Sequence, residues 1–300
     1  MHDSFAQAAR FDRHSLQHPL GTARTTLKLV ERSSSSSPQW EHTRTKIDQS
    51  LAAVFALNAH WPEAHNVQGE LHLLRGDVPA ARAAFQRAAA GQDDSLARQH
   101  LYFCNWSQAY LRSPAEPQRA LEIADQAVAL EAQQVAGNYC RGLALRALKR
   151  TPEAIQEFDH VLSKQPKHVG ALLARSQLTV ESPGVTTAQI EQAHQDIATA
   201  LALAPTEALR AEADYVNSLA WLKHHLISKS TVAIAEDALI KCQHAVLEAL
   251  KLAPRNAVYQ KTADQVFTYA AAFAWQDSKL QQESTRLQQQ FKATRPPAPK

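Results

Sequence analysis

The sequence predicts an all-α chain built from consecutive antiparallel helix pairs. The first observation is compositional. Hydrophobic residues make up 45% of the chain and alanine supplies many of them, glycine occurs only eight times, and no long run alternates β-branched with polar residues. Such a composition favours helix over strand. The second observation is a pattern that recurs along the chain, clearest between Gly69 and Ala88. Gly69 and Ala81 are small enough to let two helices approach closely, and Gly76 suits the positive φ that closes the first helix. Phe85 and Ala88 then share one face of the second.

Taken in order, residues 1–37 hold scattered hydrophobes such as Phe5 and Phe11, with short helices expected near Ser4–Arg13 and Thr22–Glu31. They end in Ser33 to Ser37, and a serine run buries too little surface to offset its ordering entropy. The segment is expected to be a flexible lead-in, dispensable for folding. Pro38 suits a first helical turn. A helix follows to about Ala59, with Ile47, Leu51, Val54, Phe55 and Leu57 on its apolar face, so residues 38–62 form a degenerate half-repeat closed by Trp61-Pro62.

The clearest pair comes next, with helices over Glu63–Arg75 and Val78–Ala90. Ser95 is placed to cap a helix over Leu96–Arg112. That helix carries Tyr102, Phe103, Trp106 and Tyr110, expected to pack in the core, with a ligand-facing role for at least one of them as the alternative. Its partner offers Ala120, Ala124 and Ala127 after the break at Ser113–Pro117. A third pair shows Gly142, Ala154, Phe158 and Val161; a fourth shows Ser176, Ala193, Ile197 and Ala200, with extra residues in the turn Ser182–Thr187. The fifth runs from Asn217–Trp221 to Cys242, Val246 and Ala249, with a longer insertion around Ser228–Glu236. Pro166, Pro205 and Pro254 each stop a second helix. Residues 63–254 therefore read as an array of about five pairs. Residues 255–291 read as a C-terminal capping helix in one or two segments, with a polar outer face that ends the array, and 292–300 as a loose tail.

With small residue, glycine, alanine, aromatic and alanine at these spacings, the stretch from Gly69 to Ala88 resembles a tetratricopeptide (TPR) repeat, and the recurrence carries the resemblance over residues 63–254. The resemblance implies a right-handed superhelix whose concave wall is made by the first helix of each pair. Aligning Gly69, Gln108, Gly142, Ser176 and Ala220 puts Asn66 and Glu70 on that wall from the first pair, and Tyr102, Asn105 and Arg112 from the second. The third gives Tyr139 and Arg146, the fourth Gln177, and the fifth Asn217, Trp221 and His224. Trp221 has an alternative place, packed beneath the insertion around Ser228–Glu236. The wall mixes aromatics, amides and cations, a surface suited to an extended peptide or an amphipathic helix. TPR proteins that grip chaperone C-termini carry an asparagine directly after the small residue; here Glu70 follows Gly69 and Leu143 follows Gly142, so that clamp is absent.

No catalytic signature stands out. The glycines are scattered rather than gathered in a phosphate loop, and neither an HExxH nor a Cys-x-x-Cys occurs. Adjacent His224 and His225 point about 100° apart on a helix, which disfavours a shared metal with His244. No cofactor is expected. A net charge of +3, with acids and bases interspersed, gives no basic patch for nucleic acid. Cys104, Cys140 and Cys242 are isolated, as buried thiols of a reducing compartment would be. The longest apolar run, Leu51–Leu57, is too short for a membrane span, and the expected location is cytoplasmic. The function expected is a non-enzymatic interaction scaffold that binds a partner protein segment. The alternatives are a structural subunit of an obligate complex or homo-oligomer, built through the array and the C-terminal helix, and an enzyme with an unrecognised site.

Overall fold

The computed structural model describes residues 20–23, 38–91, 95–130, 135–228 and 232–294, and every regular element among them is helical. Beyond a single turn at residues 20–23, the helices are α1 (Pro38–Leu57), α2 (Pro62–Leu74), α3 (Val78–Ala90), α4 (Leu96–Tyr110), α5 (Pro117–Leu130), α6 (Val135–Ala147), α7 (Thr151–Lys164), α8 (Val169–Glu181), α9 (Thr187–Leu203), α10 (Glu207–Ile227), α11 (Val232–Leu252), α12 (Ala257–Ala272) and α13 (Ser278–Thr294). They fall into two compact units, Met1–Arg150 and Thr151–Lys300.

In the first unit, α2 pairs with α3 and α4 with α5, and the first helices α2, α4 and α6 lie side by side. The close approach within the first pair rests on Gly69. A methyl group there would stand 2.5 Å from the Phe85 ring, which is itself fully buried. The second pair reaches the same closeness with Ser107, whose buried hydroxyl donates to the Ala120 carbonyl at 2.8 Å. The small position is therefore Ser107 and not Gln108, which is half-buried and donates to Cys140 Sγ at 3.5 Å. In the second unit Ser176 repeats the device, donating to the Ala193 carbonyl at 3.4 Å. Here α8 pairs with α9 and α10 with α11, and α8 and α10 adjoin.

The turns after α2 and α6 close alike. The N–H groups of Gly76 and Asp77 donate to Leu73 and His72 at 3.0 and 2.9 Å, and those of Lys149 and Arg150 to Arg146 and Leu145 at 3.0 and 2.9 Å. Both turns need a left-handed residue. Gly76 takes φ 77° without cost, whereas Lys149 takes φ 63° with a side chain.

Three expectations about the chain are corrected or made definite. Of the insertion around Ser228–Glu236, residues 232–236 are the first turns of α11, which like α10 runs to 21 residues. The stretch after Pro254 is two helices. Between them the buried Glu236 carboxylate accepts the backbone N–H of Gln276 and, at 3.3 Å, that of Asp277, while Asp277 Oδ1 caps α13 by accepting from Lys279 and Leu280 at 2.7 and 3.2 Å. The apolar stripe of α13, Leu287 and Phe291, is buried, with Phe291 stacked on Phe267 at 4.6 Å, and helix continues to Thr294.

The lead-in is the third. Leu20 and Ala23 are buried in a cluster with Ile47, Leu51 and Val54 of α1 and Ala64, Val67 and Leu71 of α2. The helices expected at Ser4–Arg13 and over most of Thr22–Glu31, the serine run and residues 295–300 lie outside the described residues.

Two stability measurements follow. Gly69→Ala gains about 1 kcal/mol of helix propensity but overpacks Phe85 at a typical cost of about 1–3 kcal/mol, so its urea midpoint should fall. A midpoint at or above wild type would mean that the ring yields freely. Lys149→Gly should raise stability by about 1 kcal/mol by relieving the left-handed conformation, and an unchanged midpoint would remove that strain from the account.

Candidate functional site

In the first unit the structure gathers three of the predicted wall residues. Asn66 on α2 donates through Nδ2 to Glu70 Oε1 at 2.8 Å, one helical turn on. Asn105 on α4 reaches across and donates to Asn66 Oδ1 at 2.9 Å and to Glu70 Oε1 at 3.3 Å. Asn66 is buried at 3% exposure, whereas Glu70 and Asn105 remain half-exposed. The cluster therefore presents a carboxylate and an amide on a wall of adjacent first helices, with Asn66 as its buried brace. On α6, Tyr139 and Arg146 are half-buried, Tyr139 against the cluster of Cys104, Ala124, Ala127 and Cys140.

Tyr102 does not belong to this wall. It is 1% exposed and packs on Ala88 and Ala89 of α3, where two alanines leave room for a ring. Arg112 lies past the end of α4 and is exposed. The group that organises that region is Arg82 of α3, which sequence reading passed over. Its guanidinium donates to the carbonyls of Ala109 at 3.2 Å and Arg112 at 3.5 Å, and also to Pro114 and Glu116, while resting 4.3 Å above the Tyr110 ring. The last carbonyls of a helix lack partners within it, and a cation suits that end of the dipole. The sequence signal was the break at Ser113–Pro117, which strands those carbonyls.

In the second unit Gln177 donates to Glu181 at 2.8 Å along α8, and Asn217 is half-buried on α10. Trp221 takes neither expected place. Its ring lies 3.9 Å from that of His194 on α9, 5.5 Å from His224 in a near-parallel stack, and 4.5 Å from Lys241 Nζ on α11. The side chain thus faces two second helices, where a cation over the indole is favourable. His225, beside His224 in sequence, is buried between the Ala235 carbonyl at 2.6 Å and the Tyr269 hydroxyl at 3.0 Å, and His244 pairs with Glu283 at 3.2 Å. Among the described residues no group of three or more potential metal ligands converges, and no helix is long and apolar enough to cross a membrane.

The family model for the tetratricopeptide repeat matches residues 44–95 and 111–169. Those two stretches carry tetratricopeptide repeats. Among solved TPR-like structures, PilF of Pseudomonas aeruginosa aligns over 82% of this chain and 98% of its own at 14% identity, with a TM-score of 0.53. Cut9, from the APC/C hetero-tetramer Cut9–Hcn1, aligns over 84% of this chain and 47% of its own at 13% identity and TM-score 0.57. Human IFIT1, solved as a dimer with PPP-AAAA, aligns over 96% and 67% at 14% identity and TM-score 0.55. At such identities the likeness is one of fold. No curated protein sequence matches the chain.

The stack around Trp221 has a pH consequence. Burial, then His224 and Lys241, push the His194 pKa down from 6.5 to about 4. Between those values the unfolded chain binds the proton and the folded chain does not, so this contribution to stability is lost as pH falls from about 6.5 towards 4. Asp214 on α10 works in the opposite sense, because burial raises its pKa from 3.8 to about 6, but it is common to both chains in a comparison. His194→Phe should keep the ring contact and lose less stability than wild type between pH 6.5 and 4 in urea titrations. Equal slopes would show that His194 does not titrate there.

Proposed function

We propose that this protein is a non-enzymatic interaction scaffold that binds a segment of a partner protein on the first-helix wall formed by α2, α4 and α6. The cluster of Asn66, Glu70 and Asn105 carries this reading. Its hydrogen bonds fix a carboxylate and an amide in place before any ligand arrives, so little side-chain entropy is lost when a peptide backbone pairs with them. Arg146 and Tyr139 add a cation and an aromatic on the neighbouring helix, the mixture that peptide grooves use as anchors. The assembly alternative has less support at the C-terminus, because the apolar stripe of α13 is spent inside its own unit.

The double variant Glu70→Gln, Arg146→Ala changes the wall charge, while the new amide at the first site keeps an oxygen for both asparagines. Loss of an anchor commonly costs about 2 kcal/mol or more, about thirtyfold in affinity. Affinity capture from native lysate, quantified by mass spectrometry, should show that loss for the partners of the wild-type chain at an unchanged melting temperature. An unchanged set of partners on a folded variant would overturn the wall as the binding surface.

A further inference from the structure

Where the turn before α2 meets the end of α3, the first unit has a cavity of about 350 Å3, lined by His60, His65, Arg87, Ala90 and Gly91. That volume is within the range of about 300–1,000 Å3 typical of small-molecule sites. Packing at its edge is close. A methyl on Gly91 would stand 2.5 Å from Pro62 Cγ, so the end of α3 sits against the first residue of α2. Ala90 and Gly91 carry almost no side chain to fill the space.

The polar side chains among the described lining residues are two imidazoles and a guanidinium. Arg87, in the last turn of α3, is exposed and forms no hydrogen bond or ion pair among the described residues. The His60 imidazole is also exposed and unpartnered; its backbone N–H alone is engaged, donating to Asn58 Oδ1 at 2.9 Å. His65 is the buried part of the lining, at 7% exposure. Its Nε2 donates to the Ala59 carbonyl at 3.0 Å and its ring lies 4.9 Å from that of Phe55, while Nδ1 makes no hydrogen bond of normal geometry, even to neighbouring Gln68. Burial first, and then repulsion from Arg87 and His60, holds the His65 pKa below its ordinary 6.5. The three groups thus share one field, and an anion between them would turn repulsion into attraction.

We propose that this cavity is a binding site for a phosphomonoester. The planar fork of Arg87 pairs with two phosphate oxygens, and His60, protonated beside a dianion, donates to a third. A carboxylate has two oxygens and one charge, and would leave one of the two cations unmatched. No side chain caps the start of α2, so its positive dipole end favours the same anion. The phosphate group is shared by the free ion and by a phosphorylated serine of a partner segment, and the test separates these sources. None of the wall residues takes part, so failure here would leave the scaffold surface untouched.

Isothermal titration calorimetry on the full chain, at neutral pH and constant ionic strength, uses inorganic phosphate, N-acetyl-phosphoserine amide and, as control, sodium acetate. At least one phosphate probe should bind with a Kd of about 1 mM or tighter. Arg87→Ala should weaken it at least about tenfold, the worth of a charge-assisted hydrogen bond, and His60→Ala should weaken it in the same sense. Both side chains are exposed, so melting temperatures should stay at the wild-type value; if either variant loses the fold, Arg87→Lys and His60→Gln are scored instead. Tighter binding of the phosphoserine probe gives the site to a phosphorylated segment, and tighter binding of inorganic phosphate gives it to the free ion; both support it. Absence of binding by either phosphate probe, acetate bound as tightly as phosphate, or affinity unchanged in the variants overturns the proposal.

Discussion

Close contact between paired helices is the constraint on which the other features depend. Gly69 meets the Phe85 ring where no methyl fits, and Ser107 and Ser176 sit flush enough for a hydroxyl to reach a carbonyl of the facing helix. A serine buried without a partner would be costly; bonded across the pair it becomes a small residue with a fastener. Pairs drawn this tightly set their first helices side by side, and that spacing lets Asn105 reach Asn66 and Glu70 from a different helix. The polar cluster is a consequence of the packing distance.

Charge is used sparingly inside the units and at the end of a helix or between two helices. Arg82 collects the free carbonyls where α4 stops, and Glu236 accepts free N–H groups where α13 begins. Arg175 does a related task between α8 and its neighbours, paired with Asp159 at 2.7 Å and Asp196 at 2.6 Å. In each case the groups served are those a helix terminus or a buried carboxylate would otherwise leave unsatisfied. Lysine could not replace Arg82, because one ammonium lacks the planar fork that spans several acceptors at once.

Helix pairing was legible because it depends on local rules: glycine at Gly76, a cap at Ser95, prolines just past α7, α9 and α11. That Asn66 and Glu70 share a face was legible because a 3.6-residue period puts residues four apart on one side of a helix. Direction in space was harder to read. Ser107 lies one residue before Gln108, the residue aligned with Gly69, and a one-residue slip rotates the helix by about 100°. Trp221 was misplaced for a different reason: its surroundings come from His194 and Lys241, on helices whose distance from α10 no local pattern encodes. The docking of Leu20 beside a serine run was invisible to composition, which averages over the very residues that matter.

The burial of the native thiols has a practical consequence. Cys104, Cys140 and Cys242 are each no more than 3% exposed. Contact with Cys140 and burial hold the Cys104 thiol well above its ordinary pKa, and burial pushes Cys242 up to about 12. Maleimides and disulfide reagents need an accessible thiolate, so the wild-type background is already silent to them. A single cysteine introduced on an exposed position can carry a dye, spin label or cross-linker without first removing the natural three, and the packing around α4, α6 and α11 need not be disturbed to attach it.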